Sequence, residues 1–345
     1  MNSETNQDGG RIARIDLNNP AMYSEVRGSE SAYLGYQVSA SGDGNLLSSY
    51  DSNTGILSIH EFVTESSSFQ TVGSVDPGVF PGSADFAMSR DGKWLAVIGE
   101  DFNEVTLVTR ILVLLYEYDA STKAIEQYGE EVVFGTNESN DWGFFDIAIN
   151  DDGKFVIVSQ VGRGDFQGEI RTYERSQSGY IQKGPELSSD MVDDGFGQDV
   201  EVLSNDNDQL QIGFSVPYDD SVLIYTLEDS GEWLQIGSAI RGFDLLGTTG
   251  TEFGFDITFN DRGDRLVIGA PAYLDGAGAA QGYILSSNEW WPTGPTLTGA
   301  DGSSFGEAVE CDEDCSVLAV GAPLDCWGED NCGGSVYVFR DTSTL

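Results

Sequence analysis

Phe253–Pro271 reads FGFDITFNDRGDRLVIGAP. Phe253, Phe255, Ile257 and Phe259 alternate with smaller or polar residues, the period of a β-strand. Asn260, Asp261, Arg262 and Gly263 supply turn chemistry. Leu266, Val267 and Ile268 open a second strand that closes on Gly269-Ala270-Pro271. The same hairpin returns at Phe305–Pro323 as FGEAVECDEDCSVLAVGAP. A unit that recurs along a chain decides the fold.

Aligned on this hairpin, the chain holds six copies, starting near Leu34, Gly82, Gly143, Phe196, Phe253 and Phe305. Each copy offers up to four strands. After the first strand and a polar turn come second strands such as WLAVIG at 94–99, FVIVSQ at 155–160 and LVIGAP at 266–271. Third strands include ILSIHEF at 56–62, ILVLLYEY at 111–118 and VYVFR at 336–340. Fourth strands place an apolar or aromatic residue four before a glycine: FQTVG from Phe69, IEQYG from Ile125, YIQKG from Tyr180, WLQIG from Trp233 and WWPTG from Trp290. Four antiparallel strands in roughly 55 residues, repeated, predict an all-β, six-bladed β-propeller. The last copy stops at its third strand, Val336–Arg340. The alternating segment 11–17 (RIARIDL) is expected to complete that blade, closing the ring and hiding its edges. A seventh blade or an incomplete ring is the alternative. Residues 1–10 are expected to be a disordered tail, and 11–345 a single monomeric domain.

The signature FG…LAVGAP…VYVF, with Trp-x-x-x-Gly after the third strand in other copies, resembles the FG-GAP repeat of the integrin α-chain propeller. Both FG and GAP stand in the copies at Phe253 and Phe305; Phe196-Gly197 and Leu34-Gly35 keep half. Integrin-type propellers have seven blades, against six counted here. The resemblance implies extracellular binding or adhesion, often with calcium.

Composition narrows the function. Fifty-eight acidic residues against 16 basic ones give a net charge of −42, which disfavours nucleic acid and anionic membranes as partners. It favours cations, cationic partners or a saline setting in which the coat is screened. No apolar run is long enough for a transmembrane helix. The start, MNSETNQDGG, carries no signal peptide, so either one has been removed or the chain is cytosolic. Four cysteines lie in the last copy: Cys311, Cys315, Cys326 and Cys332. Three disulfide pairings are open, 311–315 with 326–332 being the local one; a four-thiolate zinc site lacks its usual spacing. Paired cysteines would imply an oxidising compartment, secreted or at the cell surface. Asn137-Glu138-Ser139 is a glycosylation sequon.

Three residues into each copy, one position holds Gln37, Asp85, Asp146, Asp199, Asp256 and Ala308. Carboxylates converging on the innermost strands must bind a cation, share protons or accept backbone hydrogen bonds. One reading is a calcium site in the channel. The other is that each Asp caps N–H groups of the neighbouring blade. A weaker calcium candidate is the loop with Asp325, Glu329 and Asp330. Trp142, Tyr218, Tyr273 and Trp327 lie on the loop face and could stack on sugars or grip a peptide, or simply anchor loops. The single His60 sits in a predicted strand, where a structural role is expected, and no catalytic residue is assigned. Two Arg-Gly-Asp tripeptides, at 163–165 and 262–264, are expected by chance in a chain this rich in Gly and Asp, and the second reads as turn chemistry.

These features lead to an extracellular or surface binding or adhesion module, stabilised by cations and recognising a glycan or protein on its loop face. The alternatives are a calcium-dependent, lactonase-like hydrolase with a channel metal, and a structural coat protein with no small-molecule ligand.

Overall fold

A computed structural model describes residues 11–15, 23–27, 37–64, 66–81, 83–103, 108–137, 144–161, 167–191, 194–204, 209–326 and 334–340. The architecture is all-β, a six-bladed β-propeller of successive antiparallel sheets. The first sheet runs Gln37–Ala40, Leu46–Asp51, Ile56–Val63, Ser68–Val75. The second runs Asp85–Met88, Trp94–Asn103, Val108–Asp119, Ala124–Gln127. Phe145–Ile149, Phe155–Gln160, Glu169–Ser176 and Gly179–Gln182 make the third. Val200–Ser204, Leu210–Val216, Ser221–Leu227 and Trp233–Gln235 make the fourth. The fifth contains Ile257–Phe259, Arg265–Ala270, Ala279–Ser286 and Glu289–Thr298. The sixth has three strands, Ala308–Cys311, Val317–Ala322 and Ser335–Arg340. Strand order in each sheet follows chain order, because tight hairpins pair each strand with the next.

The chain divides into two compact units, residues 1–156 with 173–181, and residues 157–172 with 182–345. In the first, Leu57, Ile59, Phe86, Leu95, Val97, Leu112 and Leu114 form one continuous core. In the second, Val222, Ile224, Phe253, Ile257, Leu266 and Ile268 pack together, and Val267, Ala280, Phe305, Val309 and Val320 form a second cluster.

The polar turns lock five of the first hairpins in one way, the turn of the fourth sheet lying outside the described residues. The residue that opens the turn accepts the N–H five positions on: Leu46 to Ser41 Oγ at 3.0 Å, Trp94 to Ser89 Oγ at 2.9 Å, Phe155 to Asn150 Oδ1 at 2.7 Å, Arg265 to Asn260 Oδ1 at 2.9 Å and Val317 to Asp312 Oδ1 at 2.9 Å. A short side-chain oxygen is what this turn needs, so Ser, Asn and Asp interchange there.

Two expectations are corrected. The FG dipeptide does not belong to the first strand: Phe253-Gly254 and Phe305-Gly306 lie in turns ahead of it, and the strands begin at Ile257 and Ala308. Gly254 and Gly306 have φ of 92° and 91°, outside extended geometry, while each Phe is only 1 % exposed and anchors the turn in the core. The fourth strand is interrupted at its glycine. Gly129, Gly184 and Gly237 are left-handed, and beyond them Val132–Asn137, Leu187–Ser188 and Ile240–Arg241 return to pair with the same third strand. Arg11–Ile15 pairs with Tyr23–Arg27, matching Arg11 to Arg27 and Ile15 to Tyr23. A partner so close along the chain costs little loop-closure entropy. Among the described residues, Ser335–Arg340 pairs only with Val317–Ala322. Residues 1–10, 16–17, 34, 82 and 143 lie outside the described residues.

Candidate functional site

The repeated Asp position divides into two kinds of contact. In the second unit each carboxylate reaches the next sheet's backbone. Asp199 Oδ2 accepts the Ile257 N–H at 2.6 Å, and Asp256 Oδ2 accepts the Val309 N–H. Each donor directly follows the matching position of the next repeat. In the first unit, Asp85 Oδ1 accepts from Gln37 Nε2 at 2.6 Å and from the Phe86 N–H at 2.7 Å. The Asp146 carboxyl lies beside it, and burial, with the Asp146 charge added, pushes Asp85 well above the usual carboxylate range. At Asp199 and Asp256 the contacts are those of the hydrogen-bonding alternative to a calcium site. No three His, Cys, Asp or Glu side chains gather as a metal set among the described residues.

The loop acids divide likewise. Asp220, buried and left-handed at φ 48°, accepts the N–H of Gly250 at 2.6 Å, Thr251 at 2.9 Å and Phe253 at 3.2 Å, and the Thr251 hydroxyl at 2.8 Å. Asp325 is buried; its Oδ2 accepts the Tyr337 hydroxyl at 2.7 Å, and the Tyr337 and Ser335 hydroxyls hold its carboxyl below the usual range. Glu329, Asp330, Trp142, Trp327 and Cys332 lie outside the described residues. Tyr218 is exposed, whereas Tyr273 packs against the core and serves as an anchor.

Asp220's clamp has a consequence at the surface. It holds both N–H groups that flank Glu252 and so fixes Glu252 in a left-handed conformation at φ 54°. Glu252 lines a cavity of about 360 Å³ with Phe255, Pro271, Ala272, Asp275, Gly276, Ser304 and Glu307. Two turns of one geometry build it. Phe255 N–H returns to Glu252 O at 3.0 Å and Glu307 N–H returns to Ser304 O at 3.2 Å, so Glu252 stands at the first position of one FG turn and Glu307 at the fourth position of the next. Ser304, like Glu252, is left-handed, at φ 53°. Burial pushes the Glu307 carboxyl up, and the Glu252 charge pushes it further. The result is an apolar wall of Phe255 and Pro271 beside three carboxyl groups, with no Lys, Arg or His among the residues that line the cavity. Sequence reasoning passed over this seat. Its signal was there: an acid directly before one FG and directly after the next.

The other candidates are structural. His60 is buried, with Nε2 2.8 Å from Ser49 Oγ and Nδ1 3.0 Å from Thr71 Oγ1, and burial lowers its pKa. The three form a polar chain across adjacent strands. Asp264 of the second Arg-Gly-Asp accepts from Asn260 Nδ2 at 2.8 Å and belongs to the turn lock. Cys311 and Cys315 form a disulfide across their turn, and Cys326 is also disulfide-bonded. Asn137 ends a strand paired through Thr109. No helix among the described residues is long and apolar enough to cross a membrane.

No family model matches the sequence, and no curated protein matches it. Solved structures share its fold. A proposed 6-phosphogluconolactonase from Bacteroides fragilis has a TM-score of 0.59 at 12% identity, covering 98% of this chain and 92% of its own. A periplasmic gluconolactonase from Pseudomonas aeruginosa scores 0.56 at 13% identity, covering 98% and 93%. Hydrazine synthase from Kuenenia stuttgartiensis scores 0.58 at 12% identity, covering 98% and 91%. At such identities the likeness is one of fold, and the chemistry has to be argued from this chain's own residues.

Proposed function

We propose that this protein is a ligand-binding propeller, and that its seat is the cavity of Glu252, Phe255, Asp275 and Glu307, which takes a cationic group such as a protonated amine. The observation that carries this is the three-carboxyl cavity beside a phenylalanine wall, with no Lys, Arg or His in its lining. Carboxylates pair with an ammonium group, and an aromatic face accepts it further through its quadrupole. The disulfide at Cys311–Cys315 supports an oxidising compartment outside the cytoplasm, as does the periplasmic neighbour. Calorimetric titration with spermidine tests the seat. Binding that weakens several-fold in Glu252→Gln and in Glu307→Gln supports it; unchanged binding in both removes it.

A second reading is hydrolysis of a neutral sugar lactone at the same seat, favoured by the lactonase names among the solved neighbours. The raised Glu307 is suited to donate a proton. Three carboxyl groups would repel a phosphorylated lactone, so the neutral form is the substrate to try. Proton release from gluconolactone above the spontaneous rate, lost in Glu307→Gln, would establish it.

A further inference from the structure

The seat does not stand alone. It lies in the middle of a hydrogen-bonded train of loops at one end of the fourth, fifth and sixth sheets. Gly242 N–H donates to Asp220 O at 2.8 Å, and the Asp220 carboxylate holds Gly250, Thr251 and Phe253. Ala272 N–H then donates to Thr251 O at 3.2 Å, Ser304 N–H to Gly276 O at 2.9 Å and Leu324 N–H to Ser303 O at 3.2 Å. Each loop is thus tied to the next by backbone contacts, and the surface they form is continuous and pre-ordered.

Apolar side chains stand out from this train. Tyr218, Phe243, Leu274 and Leu324 are 53, 55, 60 and 58 % exposed. Between them lie Asp244, Glu252, Asp275, Asp301 and Glu307. The nearest cation, Arg241, is already spent on Asp219, with Nη1 3.1 Å from Oδ2. Single exposed apolar residues need no explanation, but one on each successive loop, alternating with uncompensated acids on an ordered surface, marks an interaction site.

We propose that this loop train docks an extended polypeptide segment that alternates basic and apolar side chains, one basic side chain entering the Glu252–Glu307 seat. The proposal rests on the cationic-ligand reading of that seat. Charge complementarity sets the sign of the partner, and the apolar side chains set its class: a free polyamine has nothing to place against Phe243 or Leu324, whereas an extended chain presents side chains alternately. Preordered loops lower the entropic cost of binding such a segment.

The test uses the whole protein at 0.15 M salt with three labelled octapeptides, (Lys-Leu)₄, (Lys-Ser)₄ and (Glu-Leu)₄, and with spermidine. The expected result is that (Lys-Leu)₄ binds at least tenfold tighter than (Lys-Ser)₄ and that (Glu-Leu)₄ does not bind. Phe243→Ser and Leu324→Ser should weaken (Lys-Leu)₄ several-fold while spermidine binding stays as in the parent. Equal binding of the two lysine peptides overturns the apolar dock and leaves the seat standing. Failure of spermidine and peptides together removes the seat as well. Sedimentation of the protein alone provides a further arm: a dimer that these two variants dissolve would overturn the polypeptide partner in favour of a second copy of the chain. Both side chains are exposed, and an unchanged unfolding midpoint checks that the variants fold.

Discussion

Gly269 and Gly306 touch so closely that a Cβ on Gly269 would lie 2.0 Å from the Gly306 carbonyl oxygen. The first closes the second strand of the fifth sheet; the second belongs to the FG turn that opens the sixth. The two glycine signatures of the repeat are therefore two halves of one contact between neighbouring sheets. A Cβ on Gly306 would in turn meet Ala279 O at 2.1 Å.

Gly269→Ala forces backbone against backbone, which no rotamer relieves. The expected loss is about 1–3 kcal/mol, the scale of overpacking, read as a lower denaturant midpoint with unchanged slope. Gly282→Ala is the control. There the nearest atom to a new Cβ is Thr293 Cγ2 at 3.4 Å, ordinary contact, and the midpoint should hardly move.

The Asp85–Asp146 pair gives stability a pH dependence of definite sign. The folded Asp85 pKa lies above its unfolded value near 3.8, so the folded state holds the extra proton. This contribution is complete below about pH 4 and is lost as pH rises through the raised value. Asp85→Asn keeps an acceptor for Gln37 and Phe86 and donates to Asp146 without a titrating proton. It should flatten that slope and raise the midpoint at neutral pH. Calcium that raises the parent's midpoint beyond magnesium at equal ionic strength would count against the proton-sharing assignment and return these residues to the role of ligands.

Asp220→Ala removes one buried carboxylate from three N–H groups and a hydroxyl. Hydrogen bonds to a charged acceptor contribute about 1.5–3 kcal/mol each and do not add fully, so a loss on the order of 3 kcal/mol is expected. Released Glu252 should also cost spermidine affinity beyond the loss of stability. Affinity measured well below the unfolding midpoint separates the two effects.

Spermidine affinity should depend on pH through Glu307. Its pKa is raised, chiefly by burial and then by Glu252. The seat gains negative charge, and so affinity, as pH rises through that raised value. Glu307→Gln should lower the affinity and remove this step from its pH profile; a step that survives the substitution assigns it elsewhere.

The architecture was legible because period-2 alternation and polar turns are local properties. The seat was not, for a different reason. Glu252 and Glu307 lie a whole repeat apart and line one cavity only because the two FG turns, each opened by a left-handed residue, stand side by side. The split roles of the Asp position were equally hidden: Asp199 finds a backbone N–H, whereas Asp85 finds another carboxyl, and only the identity of the neighbour separates them. Asp220 was hidden too, since nothing in its own neighbourhood reveals a partner 30 residues on.

The cation-free run from Leu266 to Phe339 also governs how the protein behaves in acid. Its isoelectric point is about 4.1, and well below that pH the carboxyl groups of the fifth and sixth sheets are protonated. Elsewhere in the chain arginine and lysine then leave a positive charge. Along this run nothing is left. Its loops, with Leu274 and Leu324 bare, become an uncharged apolar surface on an otherwise cationic molecule. Acidification should therefore bring molecules together through these two sheets before it unfolds them, and turbidity should precede the loss of β structure.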